Sequence, residues 1–234
     1  MLNRNTIEYL KVINKVTDSV VLSYPYTVGN SDSGDIAFKI DISKLDTERF
    51  PSSLGICNLS SFLNMFNIFD DYNVSLDNKL INISDDNTSV NYILSNLELL
   101  ENYNKIDPEI FDKISGAPSV LEFDLTVANN KKLRIASNSL SELNYIVIEG
   151  SDTPNISLVQ GSSLDTSSNS IKINIPGISE KNFKVKFPID TLLKLPVEDY
   201  SFNIKYSERI GKYRIFVKPV NSDILQIILP VEAI

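Results

Sequence analysis

Hydrophobic positions change their spacing along this chain, and the changes mark its elements. Leu59, Phe62, Leu63, Phe66 and Phe69 recur at three- and four-residue steps, the spacing of one buried helix face. Asn58 stands where an N-cap belongs, and Asp70 and Asp71 close the pattern. Tyr72, Val74 and Leu76 then alternate, as along a strand. Asp77-Asn78 fits a two-residue hairpin turn leading into a second strand over 79–84.

The same reading extends to both sides. Residues 5–16 predict an amphipathic helix with Ile7, Leu10, Ile13 and Val16 on one face. Arg4, Glu8, Lys11 and Lys15 share the opposite face. Strands are expected over 19–24, 35–42 and 54–57, the first two joined by a Gly-, Asp- and Ser-rich loop and the last preceded by a polar connection over 45–51. From 96 no period is sustained, and Asp107-Pro108 and Gly116-Ala117-Pro118 break the chain. This predicts a domain over 1–100, a linker over 101–118 with a short helical turn after Pro108, and a second domain over 119–234.

The second half predicts strands over 120–125, 145–149, 156–160, 171–175 and 183–187. Thr126 caps a helix over 127–138, and a short helix follows at 190–195. Strands over 200–206, 213–218 and 224–229 complete the set. The halves echo each other. ICNLSSFLNMF followed by DDYNVSL has the same order as KFPIDTLLKL followed by EDYSFNI: strand, short helix, acidic step with Tyr, alternating strand. The identity is low, so the repeat is architectural. The fold class expected is α+β: two similar domains of antiparallel sheets covered by short helices.

Composition narrows the function. The chain has 234 residues, room for two domains of about 115. Its formal charge is −8, from 22 basic and 30 acidic residues, which excludes an evenly basic surface but not a local cationic stripe. There is no histidine, so the commonest general base and metal ligand are missing. Cys57, between Ile56 and Leu59, is expected to be a small buried hydrophobe. With no leader pattern and no apolar run of membrane-spanning length, a soluble intracellular protein without membrane contact is expected. Asp70-Asp71 and Asp85-Asp86 fall where turns are expected, and Gly211-Lys212 lacks the upstream glycines of a phosphate loop. These features favour binding over catalysis, with no cofactor and no metal.

Positive charge gathers on the helices. Arg4, Lys11 and Lys15 face Glu8 alone on the first helix. The helix from Val127 carries Lys131, Lys132 and Arg134 with no acid as far as Leu140, and Lys194 lies on the short helix after it. Lys131 and Arg134 share a face, and Lys132 is expected to turn partly inward. No aromatic residue is interleaved with the lysines of the helix from Val127, so the pattern suits a duplex backbone better than stacked single-strand bases.

In order and spacing, the stretch 56–95 resembles the first domain of the sliding clamps of T-even-type tailed phages, the processivity factors of their DNA polymerases. LRIAS at 133–137, LLKLPVEDY at 192–200 and the closing ILPVEAI resemble segments of the same family, so the likeness runs nearly end to end. The resemblance implies a closed homotrimeric ring around non-specific double-stranded DNA, opened by an ATP-driven clamp loader. It also implies partners in the replicative DNA polymerase and late transcription factors, and residence in the cytoplasm of the infected bacterial host. Lys11, Lys15, Lys131, Lys132, Arg134 and Lys194 would face the hole, with Arg4 near its rim. The helix over 59–69 would line it with neutral Ser60, Ser61, Asn64 and Asn67. Leu97, Leu99 and Leu100 are candidates for a groove receiving a polymerase peptide, although packing of a buried linker explains them equally well. A β-rich structural virion protein, of tail or baseplate, is the alternative reading.

Overall fold

Asn3 starts the first helix: its side chain accepts a hydrogen bond from the Thr6 amide at 2.8 Å. The computed structural model describes residues 2–45, 53–77, 79–101, 106–161 and 169–234. It divides into two compact units, Met1–Pro108 and Glu109–Ile234.

In the first unit, α1 (Arg4–Ile13) buries Ile7, Leu10 and Ile13, as the spacing predicts. It ends three residues earlier than expected. Val16 is still buried, held by a turn from its amide to the Ile13 carbonyl at 2.7 Å. Strand β1 (Ser19–Leu22) is followed by the hairpin of β2 (Tyr26–Asn30) and β3 (Ala37–Asp41). Strand β4 (Leu54–Cys57) pairs antiparallel with β1. Helix α2 (Leu59–Met65) runs on through a 3-10 turn at Phe66–Ile68. The five apolar residues assigned to its inner face, Leu59, Phe62, Leu63, Phe66 and Phe69, are all buried. Phe62 meets Phe66 and Tyr92 edge-on, at centroid distances of 5.2 and 4.9 Å. Strands β5 (Asn73–Asp77), β6 (Leu80–Ser84) and β7 (Ser89–Ile93) form an antiparallel sheet. Helix α3 (Leu97–Glu101) packs on β1 and β4.

Two expectations change here. Asp77 belongs to β5, paired with Leu80, so it is not a turn residue; Asn78 lies outside the described residues. Cys57 is exposed, not buried. It is the last residue of β4, and strand alternation turns it away from the core face that takes Ile56. The polar connection expected over 45–51 lies outside the described residues beyond Leu45, which is buried.

Asn58 does two jobs at the β4–α2 junction. Its φ is 58°, left-handed, and its side chain accepts from the Ser61 amide at 2.9 Å. Asparagine tolerates that backbone and supplies the cap. Asn58→Ala is expected to cost about 2 kcal/mol, from the lost cap and the strained backbone, whereas Asn58→Gly costs a few tenths. Urea denaturation of the two variants checks this; equal losses would refute the backbone half of the argument.

The second unit begins with α4 (Glu109–Ser115), the helical turn expected after Pro108, and β8 (Ser119–Leu125). Buried Lys205 donates from Nζ to the Ser115 and Ala117 carbonyls at 3.2 and 2.5 Å, ending α4. Burial lowers the pKa of this amine, with Glu122 pulling the other way. Helix α5 (Val127–Ser139) is capped by Thr126 as predicted. Next come β9 (Leu143–Gly150), β10 (Asn155–Gln160), β11 (Ser170–Asn174) and β12 (Phe183–Pro188). Helix α6 (Ile189–Leu193), β13 (Tyr200–Ser207), β14 (Lys212–Pro219), β15 (Leu225–Pro230) and β16 (Glu232–Ala233) complete the chain.

All ladders within the second unit are antiparallel. One sheet runs β11-β10-β9-β12-β16, and another places β15, β14, β13 and β8 side by side. The order strand–helix–three strands occurs twice, as β8–α5–β9–β10–β11 and β12–α6–β13–β14–β15. In the first unit, β4–α2–β5–β6–β7 is one such set, and α1–β1–β2–β3 is another without its leading strand. The echo legible in the sequence therefore compares the second set of each unit.

Candidate nucleic-acid interface

Helix α5 presents its cations by elimination. Asn130 and Leu133 are buried, so the residues about half a turn away must project outward. Lys131 and Lys132 are exposed, together with Ala128 and Ile135. Lys132, expected to turn partly inward, points out; its Nζ lies 3.4 Å from Asn129 Oδ1. Among the described residues, Lys131 and Lys132 have no carboxylate within ion-pair distance.

Arg134 is placed differently from the expectation that it projects freely beside Lys131. It is half-buried. Nε donates to Asn130 Oδ1 at 2.7 Å, and Nη2 donates to the Leu192 and Leu195 carbonyls at 2.5 and 2.7 Å. Nη1 reaches the Leu193 carbonyl at 3.3 Å. The guanidinium therefore adds donors to the carbonyls at the C-terminal end of α6, of which Leu192 also accepts from the Leu195 amide at 3.1 Å. Burial lowers its pKa, while neighbouring Tyr200 acts in the opposite sense. Tyr200 donates to Glu198 at 3.0 Å, and burial first, then Glu198, pushes its phenol far above the usual range. The physical reason for the correction is that a long cation three residues from an outward lysine can bend into the seam between two helices. Lys194, at the end of α6, is half-buried and already has an interaction of its own.

Arg4 and Lys11 on α1, and Lys15 in the turn just beyond its end, are all exposed. Two of them have partners. Arg4 donates to the Asp70 carbonyl and lies 3.9 Å from the Asp71 carboxylate. Lys11 is paired with Glu8 at 2.7 Å. The acids at 70 and 71 were readable as the end of the α2 pattern; that they lie against α1 was not. On α2, Ser60, Ser61, Asn64 and Asn67 are exposed, as expected for its neutral outer face. Ser60 touches Asn14 Oδ1 at 3.1 Å, joining the two helices.

The remaining acidic pair, Asp85-Asp86, lies in a turn. Asp85 Oδ1 accepts from the Asn87 and Thr88 amides at 2.8 and 2.6 Å. Among the described residues, no group of three or more acidic or cysteine side chains is arranged to hold a metal ion. Of the leucines near the predicted linker, Leu100 is buried and Leu97 half-buried, and both pack over Gly55. Leu99 is 67% exposed and borders a cleft of about 360 Å³ with Cys57 and Asp32.

No family model and no curated protein sequence matches the chain. Solved structures do. A proliferating cellular nuclear antigen from Entamoeba histolytica superposes with a TM-score of 0.65 at 14% identity, over 97% of this chain and 95% of that one. A. fulgidus PCNA, solved with the C-terminal region of FEN-1 bound, gives 0.66 at 8% identity, over 97% and 94%. This chain has the DNA clamp fold. The DNA polymerase sliding clamp of Bacillus subtilis gives 0.63 at 12% identity, and there this chain spans 62% of the longer clamp's length. In this chain α1, α2, α5 and α6 are the helices that alternate with strand sets.

Proposed function

We propose that this protein is a DNA sliding clamp of the T-even phage type. The observation that carries the reading is the acid-free lysine face of α5 on a DNA clamp fold. Three subunits, each supplying α1, α2, α5 and α6, would line a ring with twelve helices. At about 9 Å per packed helix the lining is roughly 110 Å around, which leaves a hole about 25 Å wide. A hydrated duplex passes through such a hole. Diffuse lysine–phosphate contacts carry no sequence information, so sliding costs little, and enclosure supplies persistence. The acidic remainder of the surface keeps DNA off the outside.

A ring of identical subunits joined head to tail needs two different free edges. This reading assigns them to strands β7 and β11: each ends its sheet, has five residues and alternates exposed with more buried positions without proline, a description that β5, at the other edge of the β7 sheet, also meets. The two-residue β16 is too short for this role. The β8 edge is partly covered, since Ser179 Oγ and the Glu180 amide both donate to the Val120 carbonyl. The replicative polymerase, the clamp loader and late transcription factors are the partners this reading assigns, and exposed Leu99 is the apolar anchor it offers them. A. fulgidus PCNA binding the C-terminal region of FEN-1 supports a peptide tail as the form of such a partner.

Threading tests the topology without a loader. Rings are incubated with linear duplex biotinylated at both ends, the ends are blocked with streptavidin, and salt is raised to break phosphate contacts. Blocked duplex should retain the protein and open duplex should lose it. Equal loss from both would overturn the clamp reading.

A further inference from the structure

Taken at face value, the helix cations suggest a hole that is positive on all sides. The pairing within each unit says otherwise. On α1 and its surroundings, Arg4 is held by the Asp70 carbonyl and the Asp71 carboxylate, and Lys11 by Glu8. Lys15, exposed beyond the end of α1, has no carboxylate within ion-pair distance among the described residues, but in sum three carboxylates, Glu8, Asp70 and Asp71, stand beside the three cations Arg4, Lys11 and Lys15. Asp18 adds a fourth carboxylate beside α2, where its Oδ1 accepts from the Ser60 amide at 3.2 Å. The outer face of α2 itself is neutral. In the first unit the helix surface is therefore close to electrically balanced.

The second unit differs. Lys131 and Lys132 are exposed, α5 contains no acid, and neither lysine is matched by a carboxylate among the described residues. Arg134 is spent on the α6 carbonyls. On α6, Asp190 and Lys194 offset each other in charge.

We infer that the phosphate backbone is gripped by the second unit alone, through Lys131 and Lys132, while the α1–α2 surface of the first unit is a neutral guide that adds no net attraction. This rests on the clamp reading and sharpens it: each subunit offers one cationic contact, not two. In a three-subunit ring the potential around the hole would then alternate, with three attractive sectors separated by three indifferent ones. A duplex drawn toward one attractive sector would lie off-centre, and moving to the next would require crossing a sector without attraction. The surface pairs on α1 are individually weak, but a phosphate gains little from a cation whose charge is already offset nearby.

The test is the salt dependence of binding to a fluorescent 30-base-pair duplex, followed by anisotropy from low salt upward. Each phosphate contact contributes about 0.9 to the slope of log affinity against log salt. Lys131→Ala with Lys132→Ala should lower the slope by roughly 1 to 2, and Arg4→Ala with Lys11→Ala should change it by less than about 0.5. The complementary variant, Glu8→Gln with Asp71→Asn, frees the α1 cations and should raise the slope by about 1 or more. Equal losses from the two alanine pairs, or no gain from the complementary variant, would overturn the inference and leave the clamp reading standing. Wild-type protein that fails to bind the duplex even at low salt would overturn both.

Discussion

Asn91→Lys combined with Ile93→Lys on β7 is expected to turn the proposed ring into monomers. Both side chains are exposed, and Ile93 is 73% so. Neither substitution removes a core contact. If β7 meets β11 of the next subunit, however, the new lysines come up against an edge that already carries Lys172. Lysine on an open edge strand is also a natural device against edge pairing. Like charges brought together at an interface cost several kcal/mol. About 3 kcal/mol weakens association roughly 100-fold. Light scattering on a sizing column at micromolar protein should read a three-subunit mass for the wild type and a monomer for the variant, with unchanged circular dichroism. A variant that stays trimeric would show that β7 is not the joining edge.

The second large effect is on stability. Arg134→Ala removes one guanidinium that serves Asn130 and three carbonyls at and just beyond the end of α6. Hydrogen bonds to charged groups contribute about 1.5–3 kcal/mol each, and water entering the seam recovers part of that. A net loss of about 3 kcal/mol is expected, seen as a lower urea midpoint at unchanged slope. Arg134→Lys should recover less than half, because an ammonium is a point charge and cannot span three carbonyls as a planar fork does. A surface residue that only touched DNA would change stability by no more than about 0.5 kcal/mol. A small loss on substitution would therefore return Arg134 to the outer face.

Much of the fold was readable in the chain because periodicity is a local signal. The inner face of α2 and the Asn58 and Thr126 caps depend on residues within a turn or two, and the structure contains them as expected. The same spacing rules could not show what lies against a side chain. Arg134 and Lys131 look alike in sequence, three residues apart on one helix. One reaches the carbonyls at the end of α6 and the other points to solvent. Arg4 looked unopposed until the chain brought Asp70 and Asp71 back across 66 and 67 residues. Cys57 looked buried because its neighbours are apolar, yet strand alternation at the end of β4 turns it outward.

The sequence by itself determined that this is an α+β chain of repeated strand–helix sets, with an acid-free run of cations, Lys131, Lys132 and Arg134, on one predicted helix. Hydrophobic period and charge count decide those properties, and both are written locally. Only the tertiary structure decided which of the seven candidate cations stand exposed without a carboxylate partner among the described residues: Lys131 and Lys132 on α5, and Lys15 beyond the end of α1. Charge balance depends on groups within a few ångströms in space, and distant segments supply them.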